Sequence, residues 1–344
     1  MQVRARSGVR GNAKGPSGTT IVVEQLVQIA AGVLGLLNTP SVSVYWLYLL
    51  TAAALATVVY VRAFRRRATL RGWLGFLFPR HILGHRSTRN DLALFVLNTL
   101  LHSFVFVVPL QTLSTTLASR VWHGLHASLG PLSQPLEGPA LWAGVTVGLF
   151  VVADLAFFVS HVLLHRIPWL WELHKVHHSA PVLTPLSVFR RHPCDIMFDG
   201  LVGGVMMGTA YGVIGWLAGS VITGHEILGV NVLLFGTLLI GFNLQHSHVW
   251  MTWGPLERLL ISPAAHQIHH SNAPEHHDRN FGNMLSVWDR VLRTYVSPPR
   301  TRPGLEFGLG AETEDYRSVW RLYVVPMLRI FVRNDRRGAG TTRT

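Results

Sequence analysis

The chain alternates long apolar blocks with short polar segments, and several of the blocks are long enough to form membrane-spanning helices. A helix needs about 20 consecutive apolar residues to cross a bilayer. A shorter amphiphilic stretch, 21–37, is predicted to be either a first span or an interfacial helix. The pattern predicts an all-α integral membrane protein with about four to six transmembrane helices. The candidate spans are 43–62, 92–117, 140–160, 201–222 and 227–245.

Composition and charge agree with a membrane protein. Hydrophobic residues make up 49% of the 344 positions and charged residues only 14%, whereas a soluble domain carries about 25% charged residues. The net charge is +13, but the arginines cluster beside apolar blocks, as they do at the cytoplasmic ends of membrane helices. We therefore expect contacts with anionic headgroups and no nucleic-acid partner.

The distribution of arginine predicts the orientation. Eight arginines lie within 62–91, which places that loop in the cytoplasm. Alternation then puts 118–139 on the far side and 161–200 in the cytoplasm. The spans 201–222 and 227–245 would form a hairpin that turns on the far side, so the chain after 245 would be cytoplasmic.

Histidines are concentrated in three short motifs. His161 and His165 in HVLLH are four residues apart, so they face the same side of a helix. HKVHH supplies His174, His177 and His178, and HQIHH repeats that spacing with His266, His269 and His270. The predicted topology brings all three motifs to one face of the membrane, on a cytoplasmic helical cap.

The number of histidines favours two metal ions. Imidazole suits iron, zinc, copper and nickel, and eight imidazoles exceed the needs of one ion. The single cysteine, Cys194, excludes an internal disulfide and a cysteine-based metal site. Two redox metals at a bilayer surface fit oxygen activation against a lipid C–H bond. Asp154, two helical turns before His161, is expensive within a membrane unless it is paired, and could orient a ligand histidine.

The three motifs, in this order and separation, resemble the membrane fatty acid hydroxylase/sterol desaturase superfamily over about residues 140–296. RRHP at 190–193, FNLQHSHV at 242–249 and DRNFGNMLSVWDRVLRTY at 278–295 extend the resemblance. Arg293 stands where the superfamily usually has glycine.

The resemblance implies a membrane-bound non-haem di-iron oxidoreductase that uses O2 and external electrons. Such enzymes hydroxylate or desaturate a fatty acid, sterol, carotenoid or related lipid. The implied metal ligands are His161, His165, His174, His177, His178, His246, His266, His269 and His270. Residues implied as possible ligands or supports of ligands are His192, His248, Asp154, His276, His277, Asp278, Asn280 and Asp289.

Electrons would come from a separate carrier, because the sequence shows no cytochrome b5-like, flavin-binding, dinucleotide-binding or iron–sulfur motif. A ferredoxin, a rubredoxin or a cytochrome b5-type protein with its reductase would serve. Two alternatives belong to other classes, namely a bis-histidine haem electron carrier and a divalent-metal transporter. The first needs single histidines facing each other inside the spans, and the second needs polar ligands near the bilayer midplane.

Four segments follow from these observations. We predict a disordered basic tail at 1–20, and N-terminal membrane helices with the arginine-rich loop at 21–139. The catalytic domain is predicted at 140–296, followed by a basic C-terminal tail at 297–344.

Overall fold

The computed structural model describes residues 31–220 and 224–338, the last six by their backbone alone. The predicted tail 1–20 lies outside the described residues, as do the first ten residues of segment 21–37. Nearly all regular structure is helical. The helices are α1 Trp46–Phe64, α2 Leu70–Leu77, α3 Arg80–Leu83, α4 Arg86–Leu101, α5 Val107–Leu129, α6 Pro139–Arg166, α7 Pro168–His178, α8 Pro193–Ala218, α9 Val232–Thr237, α10 Asn243–Gln245, α11 Pro263–His269, α12 Val287–Val291 and α13 Val319–Gly338.

Within the described residues, four helical segments are long and apolar enough to cross a membrane. They are Trp46–Arg67, Arg86–Leu129, Pro139–Arg166 and Pro193–Ala218. The second combines α4 and α5 through a π-helical turn at His102–Phe106. Its side chains face outward, with Phe104 81% and Val108 67% exposed, as expected of a surface that contacts lipid. The prediction of an all-α membrane protein is confirmed.

The predicted span 227–245 is replaced by a shorter and irregular path. Strands β1 (Glu226–Ile227) and β2 (Val230–Asn231) form a small antiparallel hairpin, and the apolar helical segment that follows is Val232–Gln245. Its 14 residues are fewer than the roughly 20 that a complete span requires. Gly241 interrupts this segment with φ 129°, a conformation that only glycine adopts readily.

Helices α5 and α8 pack unusually close together. A Cβ atom at Gly212 would lie 2.6 Å from the carbonyl oxygen of Ala118, and one at Gly208 would lie 2.5 Å from that of Ser114. Small residues let helix backbones approach closely in membranes, where lipid tails remove the usual hydrophobic driving force. This contact fixes α8, the helix that begins beside the histidines.

Prolines set the starts of the helices that carry the histidines. Pro168 stands in the first turn of α7 and Pro263 in the first turn of α11, where the missing N–H costs no helical hydrogen bond. The Ser262 side chain caps α11 by accepting from the Ala265 N–H at 3.1 Å. The spaced histidines therefore lie on helices whose N-terminal ends are well formed.

The segment predicted as a basic tail contains helix α13, which packs against α7 and α4. Arg329 on α13 pairs with Asp315 at 2.6 Å and also with Glu312. Glu312 in turn accepts from Lys175 of α7 at 3.1 Å. The C-terminal helix is thus tied to the helix that carries HKVHH.

Candidate metal centre

Nine buried or partly buried histidines converge on the face where α6 ends and α7 and α11 lie. They form two compact groups, and within each group one nitrogen per ring lies within 4.8 Å of all the others. The five-histidine group is His161, His165, His174, His178 and His269, and the four-histidine group is His177, His246, His266 and His270. These are the nine residues named as metal ligands from the sequence.

The five-histidine group draws on three helices, α6, α7 and α11. In every ring of this group Nε2 is buried and has no hydrogen-bond partner among the described residues. A buried polar atom without a partner costs about 1–3 kcal/mol, and five such atoms facing one point would be strongly unfavourable. A cation at that point satisfies all five.

The four-histidine group is tighter still. The Nε2 atom of His246 lies 3.0 Å from that of His270, 3.2 Å from that of His266 and 3.3 Å from that of His177. A metal 2.0–2.1 Å from each ring nitrogen would separate neighbouring nitrogens by about 2.9 Å at right angles and about 3.4 Å at the tetrahedral angle. The observed separations have the size of a metal's ligand shell.

The repeated H-x-x-H-H spacing has a structural explanation. On α7, His174 and His178 face the five-histidine group while His177 faces the other. On α11 the assignment is exchanged, since His266 and His270 serve the four-histidine group and His269 serves the five-histidine group. Each motif therefore contributes histidines to both groups, which joins the two groups into one candidate site.

The second ring nitrogen of several ligands is held by a fixed acceptor. Nδ1 of His161 lies 2.7 Å from the carbonyl oxygen of Phe281, and Nδ1 of His269 lies 2.8 Å from that of Arg279. Nδ1 of His174 lies 3.0 Å from Oδ2 of Asp195. Such contacts place the proton on Nδ1 and leave Nε2 free to bind a metal.

Two buried side chains hold the loop that carries these carbonyl groups. The Asp289 carboxylate accepts from the N–H groups of Phe281 and Gly282 at 2.9 and 2.7 Å. Asn280 donates to the carbonyl oxygens of Ala265 and Val296 and accepts from the Val296 N–H. In this structure, Asn280 and Asp289 support the ligands through the backbone.

Asp278 lies beside His165, a member of the five-histidine group. Its carboxylate is 3.6 Å from Nδ1 of His165 and 3.4 Å from Arg166. Asp278 and Asn280 both have positive φ, 57° and 52°, so the loop turns sharply beside the five-histidine group.

The other sequence candidates lie outside both groups. The Asp154 carboxylate accepts from the N–H groups of Met284 and Leu285 and from the Trp288 indole, so it anchors the 281–288 segment and contacts no ligand histidine. His248 binds the Phe76 carbonyl group at 2.8 Å.

His192 caps α8 through Cys194 and also contacts the Tyr323 carbonyl group. His277 contacts the carbonyl oxygen of Asn272 at 3.2 Å. Nδ1 of His276 is buried without a partner among the described residues, but the residue belongs to neither histidine group.

Burial lowers the pKa of six of the clustered histidines, all of which lie outside the membrane spans. Desolvation and the neighbouring imidazoles lower the pKa of His246 and His269 to about 3. The same causes lower the pKa values of His177, His178, His266 and His270 well below the usual range. A neutral imidazole offers the lone pair that a metal binds.

A network of four residues beside the site was not predicted from the sequence, and only Arg191 had been noted, as part of the RRHP motif. Arg191 pairs with Asp195, the carboxylate behind His174, and with Asp199 at 2.6 Å. Ser160 also donates to Asp199. Two carboxylates four residues apart at the start of an apolar helix could have indicated this network, since such charges are expensive near lipid unless paired.

Two cavities reach the metal centre through different histidines and share no wall residue. One, of about 490 Å³, touches mainly the five-histidine group and has polar walls that include Lys175 and Asp278. The other, of about 70 Å³, touches histidines of both groups and is bounded by Phe157, Leu164 and Phe242. The metal centre is therefore accessible from a wide polar side and from a narrow, more apolar one.

Comparison with known proteins agrees with this geometry. Residues 146–294 match the family described as Fatty acid hydroxylase. The chain is 31% identical to ornithine lipid hydroxylase OlsE of Rhizobium tropici over 45% of its own length and 43% of the relative. It is 26% identical to alkylglycerol monooxygenase of Danio rerio over 51% of this chain and 34% of that one.

A third relative is human cholesterol 25-hydroxylase, with 29% identity over 49% of this chain and 58% of the relative. The matches thus span about a third to three fifths of these relatives. No solved structure gives a significant match. The matches confirm the resemblance inferred from the histidine motifs.

Proposed function

We propose, from the fatty acid hydroxylase domain at residues 146–294, that this chain is a membrane-bound non-haem di-iron oxidoreductase. It would use O2 and two external electrons to hydroxylate or desaturate a lipid. The observation that carries the proposal is the convergence of nine histidines into two adjacent groups at the end of membrane helices. The proposed catalytic segment is 140–296.

The donor set fits two irons. All nine donors are imidazole nitrogens, which suit iron, and the lone cysteine, Cys194, belongs to neither group. The five-histidine group would hold one ion and the four-histidine group the other. The chemistry that bound iron supplies is the reduction of O2 coupled to oxidation of a C–H bond, which no side chain of the site can carry out.

The residues of the chain perform the remaining tasks. Asp195 and the carbonyl groups of Phe281 and Arg279 fix the orientation of three ligand rings. The narrow cavity, whose walls include Phe157, Phe242 and the Arg191–Asp199 pair, would receive the reacting part of an alkyl chain. Hydroxylation would convert R–H, O2, two electrons and two protons into R–OH and water. Desaturation would take one hydrogen from each of two neighbouring carbons and, with the same O2, two electrons and two protons, would release two waters.

A lipid substrate is supported by the relatives and by the fold. The printed names of the three relatives refer to an ornithine lipid, an alkylglycerol and cholesterol. Four candidate membrane spans place the chain in the lipid bilayer, where such substrates are also found. The candidate classes for this chain are fatty acids, sterols, carotenoids and related lipids.

We place the histidines on the cytoplasmic face. His248, two residues after the ligand His246, binds the Phe76 carbonyl group at 2.8 Å, and Phe76 lies in the arginine-rich segment 62–91. The arginine-rich segment and the metal centre therefore share one face, and the arginine excess supports a cytoplasmic location for that face. A basic surface there would steer an acidic electron carrier, such as a ferredoxin, a rubredoxin or a cytochrome b5-type protein.

The deciding experiment measures iron, zinc and haem per chain in protein purified from iron-supplied cells. We expect about two non-haem irons per chain, as two ligand groups require, and their loss in the double variant His269→Ala/His270→Ala. The control is His81→Ala/His123→Ala, which removes two exposed histidines outside both groups. Haem unaffected by the ligand variant, or no metal at all, would refute the proposal.

A lipidomic comparison of cells that express the wild type or His269→Ala/His270→Ala then identifies the product. An added oxygen or an added double bond in a lipid of the wild-type cells alone would assign the reaction.

A further inference from the structure

A cleft of about 310 Å³ lies between α6, α8 and the 226–234 segment, and no role for it has been described so far. Its middle is apolar, with Phe150, Phe157 and Met207 among its walls. Ala153, which also lines it, is exposed, so the cleft opens on the surface of a membrane-spanning helix. An inference about the ligand of this cleft rests on the proposed lipid oxidation and makes its substrate class more specific.

The cleft meets the metal centre. Phe157 and Asn283 line both the cleft and the narrow cavity of about 70 Å³, and that cavity contacts histidines of both groups. A volume of 70 Å³ holds only about five water-sized groups. A short piece of alkyl chain fits there, and a lipid headgroup does not.

The end of the cleft remote from the histidines lies near Thr146 of α6, so its distance from His161 follows from the geometry of that helix. Thr146 accepts from the His225 N–H at 2.7 Å, and its carbonyl oxygen accepts from Asn231 at 2.9 Å. These contacts hold the β1–β2 hairpin against Thr146 of α6. Thr146 lies 15 residues before His161, which corresponds to about 22 Å along a helix. One leaflet contributes only about 15 Å of hydrocarbon, so an alkyl chain that follows this path would extend beyond one leaflet.

That far end is polar and negatively charged. Tyr211 and Glu226 line it, and Glu226 is exposed. Among the described residues, the Glu226 side chain forms neither a hydrogen bond nor an ion pair. Asp154, the other carboxylate of the cleft, already accepts three hydrogen bonds. Glu226 is thus free to bind a ligand.

We propose that the cleft is the site of the substrate's alkyl chain and that Glu226 binds a cationic amine in its headgroup. The headgroup lies at the end remote from the metals, and the distal part of the chain enters the narrow cavity. Oxidation then occurs in the half of the chain farther from the amine.

The reverse orientation fits the structure less well. A headgroup in the 490 Å³ cavity would be on the wide polar side, which shares no wall residue with the cleft or with the narrow cavity. The densely packed histidine rings, with neighbouring centroids such as those of His178 and His270 only 4.7 Å apart, leave no passage for the chain between the two sides.

Photocrosslinking in the detergent-purified full chain tests the orientation. The probe is a hexadecyl-trimethylammonium ion that carries a diazirine either at the chain terminus or next to the nitrogen. We expect the terminal diazirine to label the junction around Phe157, Asn283 and Phe242, and the other to label the region of Met207 and Tyr211. The reversed pattern, or labelling that excess unmodified probe does not suppress, would overturn the proposal.

Ala153→Trp should abolish the labelling at the junction by filling the cleft. The control Ala143→Trp places the same side chain at an exposed position of α6 that does not line the cleft, and it should leave the labelling unchanged. Equal labelling in both variants would overturn the assignment of the cleft.

Glu226→Gln should weaken binding of the ammonium probe about two- to fivefold, a range typical of one exposed charge pair. An uncharged hexadecyl glycerol ether should bind equally to both proteins, which also shows that the variant is folded. Glu137→Gln removes a far-side carboxylate outside the cleft and should change neither affinity. Unchanged ammonium binding in Glu226→Gln would refute the cationic headgroup.

None of these measurements needs iron or turnover. A protein without iron and without product would refute the proposed function, yet the labelling pattern would still decide whether the cleft holds an alkyl chain.

Discussion

Nδ1 of His174 lies 3.0 Å from Oδ2 of Asp195, and both side chains are buried, at 4% and 0% exposure. The same carboxylate also pairs with Arg191. The ring of His174 is thereby fixed by a charged acceptor, the strongest form of the support that metal-bound histidines receive.

Asp195→Asn should therefore weaken one metal site more than the other. The amide keeps the shape of the carboxylate but removes its charge, so we expect about 10–100-fold lower affinity for one of the two metals. A competitive chelator titration of the iron-loaded protein measures both affinities. Asp315→Asn, which breaks the pair with Arg329 away from the histidines, is the control. Unchanged affinities in Asp195→Asn would contradict the role assigned to this carboxylate.

Asp289→Ala should destabilise the protein and also lower its metal content. The substitution leaves the N–H groups of Phe281 and Gly282 without their acceptor. The Thr294 hydroxyl loses the carboxylate but keeps the carbonyl oxygen of residue 289. We expect a loss of roughly 3–5 kcal/mol in the free energy of unfolding, since each orphaned buried donor costs about 1–3 kcal/mol. Thermal unfolding in detergent and metal analysis give the two readouts. Glu314→Ala, at an exposed carboxylate, should leave both near wild type.

Arg293→Gly should stabilise the chain slightly. Arg293 has φ 60°, a conformation that costs a non-glycine residue about 1–3 kcal/mol, and its side chain is exposed. After the entropy that glycine loses on folding, about 0.5–1 kcal/mol, a gain of about 1 kcal/mol remains. Leu292→Gly, at a neighbouring exposed position with φ −80°, should be destabilising instead. A lower melting temperature for Arg293→Gly would show that the side chain makes a compensating contact.

Gly212→Ala should separate α5 from α8. The new Cβ atom would lie 2.6 Å from both the Ala118 carbonyl oxygen and the Val121 Cβ, so backbone must move at a cost of about 1–3 kcal/mol. Gly203→Ala on the same helix meets nothing within 4 Å and should be neutral. Melting temperatures of the two variants in the same detergent give the comparison, and equal values would mean that the helices adjust freely.

The parts of the fold that could be predicted depend on composition and spacing. Hydropathy located the four long helices because each carries a continuous apolar run. Segment 227–245 is equally apolar, but hydropathy does not report backbone conformation. The helix begins only after Asn231, whose side chain accepts from the N–H groups of Leu233 and Leu234. Gly241 then interrupts the helix.

The histidine spacing indicated a site for two metals, but the spacing alone could not assign ligands to groups. His177 and His178 are neighbours in sequence and serve different groups, which depends on the rotation of α7 relative to α11. The support from Asp195 and from the Phe281 carbonyl group involves contacts across 21 and 120 residues. Such contacts arise from tertiary packing. The spacing of Asp195 and Asp199 is a local pattern, but no local pattern identifies the partners of these carboxylates.

The five-histidine group joins residues that are far apart in the order of synthesis. His161, His165, His174 and His178 leave the ribosome about 90 residues before His269, and the carbonyl groups of Arg279 and Phe281 follow later still. During that interval four imidazoles already lie at the membrane without their fifth partner, and His161 also lacks the Phe281 carbonyl group that orients it. We therefore expect metal delivery to be a late step of biogenesis, so that chains truncated before residue 279 would insert into the bilayer yet retain no tightly bound metal.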